Sequence, residues 1–474
     1  MVPQRPKAAK SAESKAAPRD GRQEGGCVSS TERQSESEAP AVSERTTQGA
    51  ERRGRDWSWV EASVWNERML AALENGVKGG KWFSLIDKVY RMKTLKAAWQ
   101  KVEANAGAAG VDRQSVEQFG VRAEVYLEEL ERALRTGEYR PQPIRRVEIA
   151  KAGGKMRPLG IPVVKDRIVQ TALKLVLEPI FEREFEDASY GFRPLRGCKD
   201  ALREVERWLK EGYTHVVDAD FDSYFDSIPY EPLVGEVSKR ISDGAVLDLI
   251  RAFLGQDIIQ GMKRWRPVGG TPQGAVISPL LANIYLHPLD RHMRGKGYRI
   301  VRYADDFVVL CRTVEQAQAA LNEVKAWVEQ NGLRLNADKT HVGDCRQAGQ
   351  GFEFLGYRFE AGRRWVRKKS LLALRERIRQ KTQRTRGDSL ACIIVELNAI
   401  LRGWFGYFKY AQPWVHQLTD AFVRRRLRAL LRKQDKRPGM GRCREDHLRW
   451  PNSFFAAQGL FTLATARALA SQSR

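Results

Sequence analysis

Apolar residues recur along this chain with two different periods, and the switches between them outline its elements. Trp82, Leu85, Ile86, Val89 and Tyr90, continued by Leu95, Trp99 and Val102, follow the three-and-four spacing of an amphipathic helix ending near Gly107. Residues 168–185 read as a second helix, with Pro179 as its kink or break. β-Branched runs at 214–221, 299–304 and 306–311 predict three strands, and the helical spacing of Val314–Gln330 predicts a helix packed across them. Further on, Leu371, Leu374 and Ile378 mark one basic helix and Ile393, Ile394, Leu397 and Leu401 another. A third covers 422–431. No internal repeat is present. Residues 1 to 52 hold no aromatic residue, are rich in Ser, Glu, Arg, Gln, Ala and Gly, and nearly cancel in charge, so a disordered tail is expected there.

Two of the strands meet at Tyr303-Ala304-Asp305-Asp306. Adjacent acids on a strand point to opposite faces, but at a tight turn both carboxylates can reach one small volume. A hard divalent cation such as Mg²⁺ suits that volume, because it takes oxygen ligands. Asp is also common in ordinary turns, so the tetrapeptide alone does not decide the matter. A site holding two ions about 4 Å apart needs more carboxylate than one hairpin supplies. The segment from Thr214 to Asp226 runs a β-branched strand into Asp218, Asp220, Asp222 and Asp226. Alternation places Asp218, Asp220 and Asp222 on one face and cannot choose among them. The chemistry suggested is phosphoryl or nucleotidyl transfer.

Charge adds a partner. The 474 residues carry a net +24, with a pI near 9.9, which calls for a polyanion. Residues 361–440 hold 21 Lys/Arg against 5 Asp/Glu, a net of +16. Trp365, Trp404, Phe405, Tyr407, Phe408 and Trp414 interleave with those cations, a mixture suited to unstacked bases and phosphates. The six cysteines show no Cys-x-x-Cys spacing, which argues against a disulfide framework and a structural zinc site. No stretch is expected to span a membrane and no signal peptide is expected at the start, so a cytoplasmic, nucleoid-associated protein is anticipated.

The motifs in their order resemble a reverse transcriptase, and more narrowly the maturase–reverse transcriptases of bacterial group II introns. Asn105 to Asp112 resembles an N-terminal block that retroviral enzymes lack. Gly153 to Pro162 and Asp166 to Gln170 resemble the fingers. Ser189 to Pro194, the acidic strand, Thr271-Pro272-Gln273-Gly274, Ser278 to Asn283 and the paired Asp residues follow. Asp338-Lys339-Thr340, Phe354-Leu355-Gly356 and the maturase signature Arg402 to Phe408 complete the series, which spans roughly residues 80 to 460.

The resemblance implies an α/β right-hand polymerase, with fingers and an antiparallel palm sheet over residues 53–360. An all-α thumb and maturase region would occupy 361–440 and a short segment 441–474, with no endonuclease domain. It selects Asp220, five residues before Phe225, to join Asp305 and Asp306 in carrying two Mg²⁺ ions, with the Phe221 carbonyl as a backbone ligand. It makes Phe225 a barrier to a 2′-hydroxyl, and Lys151 and Arg157 holders of the triphosphate. Gln273 would position sugar or base, and Lys339 would donate a proton to departing pyrophosphate. Arg402, Trp404, Arg424, Arg425 and Arg426 would meet nucleic acid. Ala106 departs from a usual Lys, and Ala337-Asp338 stands where Glu is more usual. The implied function is RNA-directed DNA synthesis with intron-RNA binding that assists splicing. The partners would be an RNA template with a DNA primer, deoxynucleoside triphosphates and target DNA. The alternatives are a host-adopted enzyme of DNA repair or phage defence, and a splicing chaperone with a vestigial polymerase site.

Overall fold

The computed structural model describes residues 56–150 and 156–472. The expected tail and Lys151 lie outside the described residues. The palm is a four-stranded antiparallel sheet in the order Arg299–Tyr303, Asp306–Cys311, His215–Asp220, His341–Asp344. Alternation divides its side chains between two cores. Val217, Ala219, Phe307 and Val309 face one core with Ala317, Ala320 and Val324 of the helix Val314–Gln330. Val216, Val308 and Leu310 face the other, beneath Phe352, Phe354, Tyr357 and Phe359 of a three-stranded sheet. Asp218, Asp220 and Asp306 share the parity of this second face, near its edge.

The fingers carry a second four-stranded sheet, Met156–Ile161, Ile144–Ala150, Ile258–Gln260 and Lys263–Trp265, whose middle pair is parallel. Its neighbour, the helix Val164–Glu182, is buried along most of its length and tolerates Pro179 inside it. The helical stretch read from Trp82 to Gly107 is two helices, Ile86–Tyr90 and Met92–Asn105. Arg91, with φ −54° and ψ 130°, breaks the run between them.

The helical region begins at Lys368, after a strand Arg363–Val366 that pairs with Tyr357–Glu360. Its main helices are Lys368–Lys381, Leu390–Phe408 and Pro413–Gln434. The segment after residue 440 joins their core through Trp450, Phe455, Leu460 and Leu463. There the Asp420 carboxylate accepts from the Leu463 and Ala464 N–H groups, 2.9 Å each, and so caps the start of the last helix.

Leu390–Phe408 is, by length and composition alone, apolar enough to cross a membrane. In this fold its Ile393, Ile394, Leu397 and Leu401 are thumb core, while Glu396 takes ion pairs from Lys381 and Arg386.

Candidate active site and nucleic-acid surface

The turn at Ala304 (φ 60°) is held from below by a buried charge. Arg302 is fully buried and donates to both oxygens of Asp290, at 2.8 and 2.5 Å. It also reaches the Asn283 side-chain oxygen and the Ala304 carbonyl, 2.9 Å each. Asn283 in turn donates to the Gly191 carbonyl at 2.8 Å. Gly191 lies directly against the turn: a Cβ there would stand 2.8 Å from the Tyr303 carbonyl carbon and closer still to the Ala304 nitrogen, so only glycine fits. Three motifs distant in sequence thus converge beneath the paired acids.

Above that support, Asp220 stands opposite Asp306 in the sheet register, with Asp305 on the turn beside them. Long-range contacts separate the three acids that strand alternation left equivalent. Asp218 is drawn back from the edge, accepting from the Glu353 N–H at 3.2 Å, and Asp222 is exposed beyond the strand end. Asp220 is left at the edge.

The electrostatics show that these acids sense one another. Burial raises the Asp305 carboxyl above its ordinary range, and the Asp220 charge adds to this. Burial pushes Asp306 up to about 7, reinforced by Asp218 and Asp305 and partly offset by the Leu355 N–H. Asp218 rises to about 6, chiefly from burial. Such a surplus of crowded negative charge fits divalent cations, which reverse the penalty of gathering carboxylates.

Among the described residues no three His, Cys, Asp or Glu side chains are gathered tightly enough to hold a metal ion. The counter-charge on Asp220 is the Lys339 ammonium, paired directly with it. Lys339, expected as the proton donor to pyrophosphate, is thus placed at the edge of the acid cluster. The Phe221 side chain is buried against Phe307 and Tyr224. Its pairing with Leu335 uses the Asp220 carbonyl and the Asp222 N–H, leaving the Phe221 carbonyl outside that ladder.

Phe225 lies one short turn past the acidic strand, half-buried against the palm core. The Thr271–Gly274 loop crosses it, the Thr271 N–H donating to the Phe225 carbonyl at 2.6 Å. Arg157 of the fingers donates to the Gln273 side-chain oxygen at 3.1 Å, and the Gln273 amide donates to Asp226 at 3.2 Å. Arg157 can only donate and Asp226 can only accept, so the pair fixes which way the amide points. The Arg157 charge also acts on Asp305. Asp226 was not singled out from sequence, although it is the fourth acid of its segment and directly follows Phe225.

The nucleic-acid residues divide. Arg402 is exposed and rests over the Phe461 ring, 4.7 Å from its centroid. Arg425 lies over Phe422 amid the like charges of Arg442, Arg379 and Arg375, which with burial lower its pKa. Arg424 is half-exposed on the same helix, and its charge offsets a little of the burial that raises the Asp420 carboxyl. Two others are structural. Trp404 packs between two cores, its ring against Phe408 and His416. Arg426 donates to the Thr382 hydroxyl at 2.9 Å and the Thr382 carbonyl at 2.6 Å, closing the end of the helix Lys368–Lys381.

An acid-edged palm sheet, faced by a basic finger strand and followed by a helical thumb, defines a polymerase of the reverse transcriptase class. Residues 149–359 match the family model for reverse transcriptase (RNA-dependent DNA polymerase). Residues 371–449 match the group II intron maturase-specific domain. Protein YkfC of Escherichia coli is 37% identical over 296 residues, covering 53% of this chain and 76% of that protein. Group II intron-encoded protein LtrA of Lactococcus lactis is 40% identical over 197 residues, covering 41% of this chain and 32% of LtrA. A solved partial Cas6-RT-Cas1–Cas2 complex gives a TM-score of 0.34 at 25% identity, over 54% of this chain and 43% of that one. The chain belongs to the group II intron reverse transcriptase and maturase family. Its domains are those of enzymes that use divalent metal ions and act on nucleic acid, with intron RNA among the partners.

Proposed function

We propose that the protein extends a DNA primer on an RNA template using deoxynucleoside triphosphates, and binds its intron RNA through the helical half to assist splicing. Together these would support intron mobility through cDNA synthesis at target DNA. The observation that carries the reading is the register pairing of Asp220 with Asp306, with Asp305 on the adjoining turn and Arg157 facing it. Asp220, Asp305, Asp306 and the Phe221 carbonyl would hold two Mg²⁺ ions, which when bound acidify the primer hydroxyl and stabilise the leaving pyrophosphate.

The chain's own residues supply the rest. Arg157 offers a planar fork for phosphate oxygens, and the Lys151 ammonium would add a second cation. Gln273, its amide fixed between Arg157 and Asp226, presents its remaining donor to the nucleotide. Phe225 limits the room beside the sugar. Lys339, held at Asp220, supplies positive charge where the phosphates would lie. No specific observation favours a repair or defence role, and the undegraded acid set speaks against a vestigial site.

Primer extension on an RNA template, with and without Mg²⁺, tests the polymerase half. The wild type should require the metal and reject ribonucleotides. Phe225→Ala should raise ribonucleotide use by about 10- to 100-fold, the range for one small group in a pocket. Unaltered sugar discrimination would remove Phe225 from the site.

Salt titration tests the RNA half. Arg424→Gln with Arg425→Gln should flatten the slope of log affinity against log salt, by up to about 0.9 for each duplex phosphate that is no longer neutralised. An unchanged slope would place the RNA elsewhere. Arg426 is left out of this test because its loss opens a helix end.

A further inference from the structure

The far end of the palm sheet carries a stack of alternating cations and rings. Arg299 opens the strand that ends at Tyr303; the register pairs it with Leu310, while Tyr303 stands opposite Asp306. Four residues of strand therefore set Arg299 about 13 Å from the acidic turn. Arg312 directly follows the neighbouring strand Asp306–Cys311. Two rings adjoin these arginines, Trp208 near the end of the helix Cys198–Lys210 and Tyr213 in the loop beyond it. The Arg207 guanidinium lies 3.8 Å from the Trp208 ring centroid, and that of Arg299 lies 4.7 Å from the same ring. Arg299 is also 5.8 Å from the Tyr213 centroid, which Arg312 covers at 4.4 Å. The rings themselves meet edge to face at 5.3 Å.

The cations differ in what balances them. Arg207 is paired with Glu204 and Glu211. Arg299, Arg312 and the exposed Lys210 have no carboxylate within ion-pair distance among the described residues. The acceptor beside the two arginines is the Tyr213 hydroxyl, whose pKa they lower. A guanidinium has five N–H donors, so one phenol leaves most of them unused, and the Arg299 Nε is buried without a partner. An arginine braced by a ring face rather than by a carboxylate keeps its whole charge to offer, with its planar fork already oriented. That fork matches phosphate oxygens. Because guanidiniums already lie over both rings, the rings brace the cations and are not a platform for bases. Such a surface meets a nucleic-acid backbone and carries no sequence preference.

We infer that Arg299 and Arg312, with Lys210 beside them, bind phosphates of folded RNA at a second surface, separate from the thumb arginines and from the acidic edge of the palm. A folded intron RNA is large enough to meet the thumb and this end of the palm together. Two weak surfaces engaged by one molecule reinforce each other through effective concentration, so the palm contact needs only a few phosphates. The inference rests on the reading that the protein binds its intron RNA.

The test is binding by the full chain across a salt series, to a folded group II intron transcript and, separately, to a DNA duplex. Arg299→Gln with Arg312→Gln should flatten the salt slope for the transcript by about 0.7 to 0.9 for each phosphate no longer neutralised. Arg312→Gln alone, at an exposed position, should give about half of that change. Arg299→Lys with Arg312→Lys keeps the charge but not the planar fork, and should hold the slope near wild type. Primer extension on a short RNA template and the melting temperature should stay near wild type in all three. An unchanged slope in both Gln variants would overturn the proposal. So would an equal loss in the Gln and Lys variants, since that marks a stack that only braces the sheet. A loss seen with the DNA duplex alone would overturn the choice of RNA. A wild-type protein that does not bind the transcript would instead sink the underlying RNA reading, and the proposal with it.

Discussion

Asp305→Ala is expected to abolish cDNA synthesis while leaving RNA affinity within about twofold of wild type. Asp305 is raised by burial and by Asp220, and drawn down by Arg157 and Arg302, so it lies where the acids of the palm and the cation of the fingers meet. An acid in that position contributes several kcal/mol to stabilising developing charge, which corresponds to a rate loss on the order of a thousandfold. The basic thumb lies on other elements and should be untouched. Primer extension read beside filter binding separates the two. Retained polymerisation would contradict the assignment of the acids, and a parallel loss of RNA affinity would mean that the palm itself had unfolded.

Asp290→Ala is expected to destabilise the protein by about 3–5 kcal/mol, because it leaves the Arg302 guanidinium buried without a counter-charge. Both side chains are completely buried. Replacing the pair together, as Asp290→Leu with Arg302→Met, should recover most of that stability, since a well-packed apolar pair often equals a buried ion pair. It should not recover full activity, because Arg302 also holds the Ala304 carbonyl of the acidic turn. Denaturant unfolding and primer extension on the two variants check this. Full activity in the double variant would show that the turn needs no such support.

Much of the palm was legible because its strands are short, β-branched and bounded, and because the helix Val314–Gln330 carries a regular apolar stripe with Thr313 as its cap. The choice among Asp218, Asp220 and Asp222 was not legible from periodicity. It depends on the Glu353 N–H arriving from far along the chain, and local spacing carries no trace of that. The finger strands escaped notice because Arg145, Arg146 and Arg157 break the apolar alternation that announces a strand. The basic helices misled in a specific way. A tryptophan beside arginines looks alike whether it meets a base or a neighbouring helix, and Trp404 meets the helix. Arg426 is likewise indistinguishable by type from Arg424 and Arg425, until Thr382 is found beneath it. The residues after 440 gave only a weak periodic signal, yet Asp420 and four apolar anchors tie them to the thumb.

The close approach of Gly191 to Ala304 has an evolutionary corollary. With backbone against backbone, neither the Ser189–Pro194 loop nor the acidic hairpin can drift alone, since any added atom in one displaces the other. Substitutions in these two stretches should therefore be inherited as matched sets. Grafting either one from a relative without its counterpart should misalign the hairpin, even where every charged side chain has been preserved.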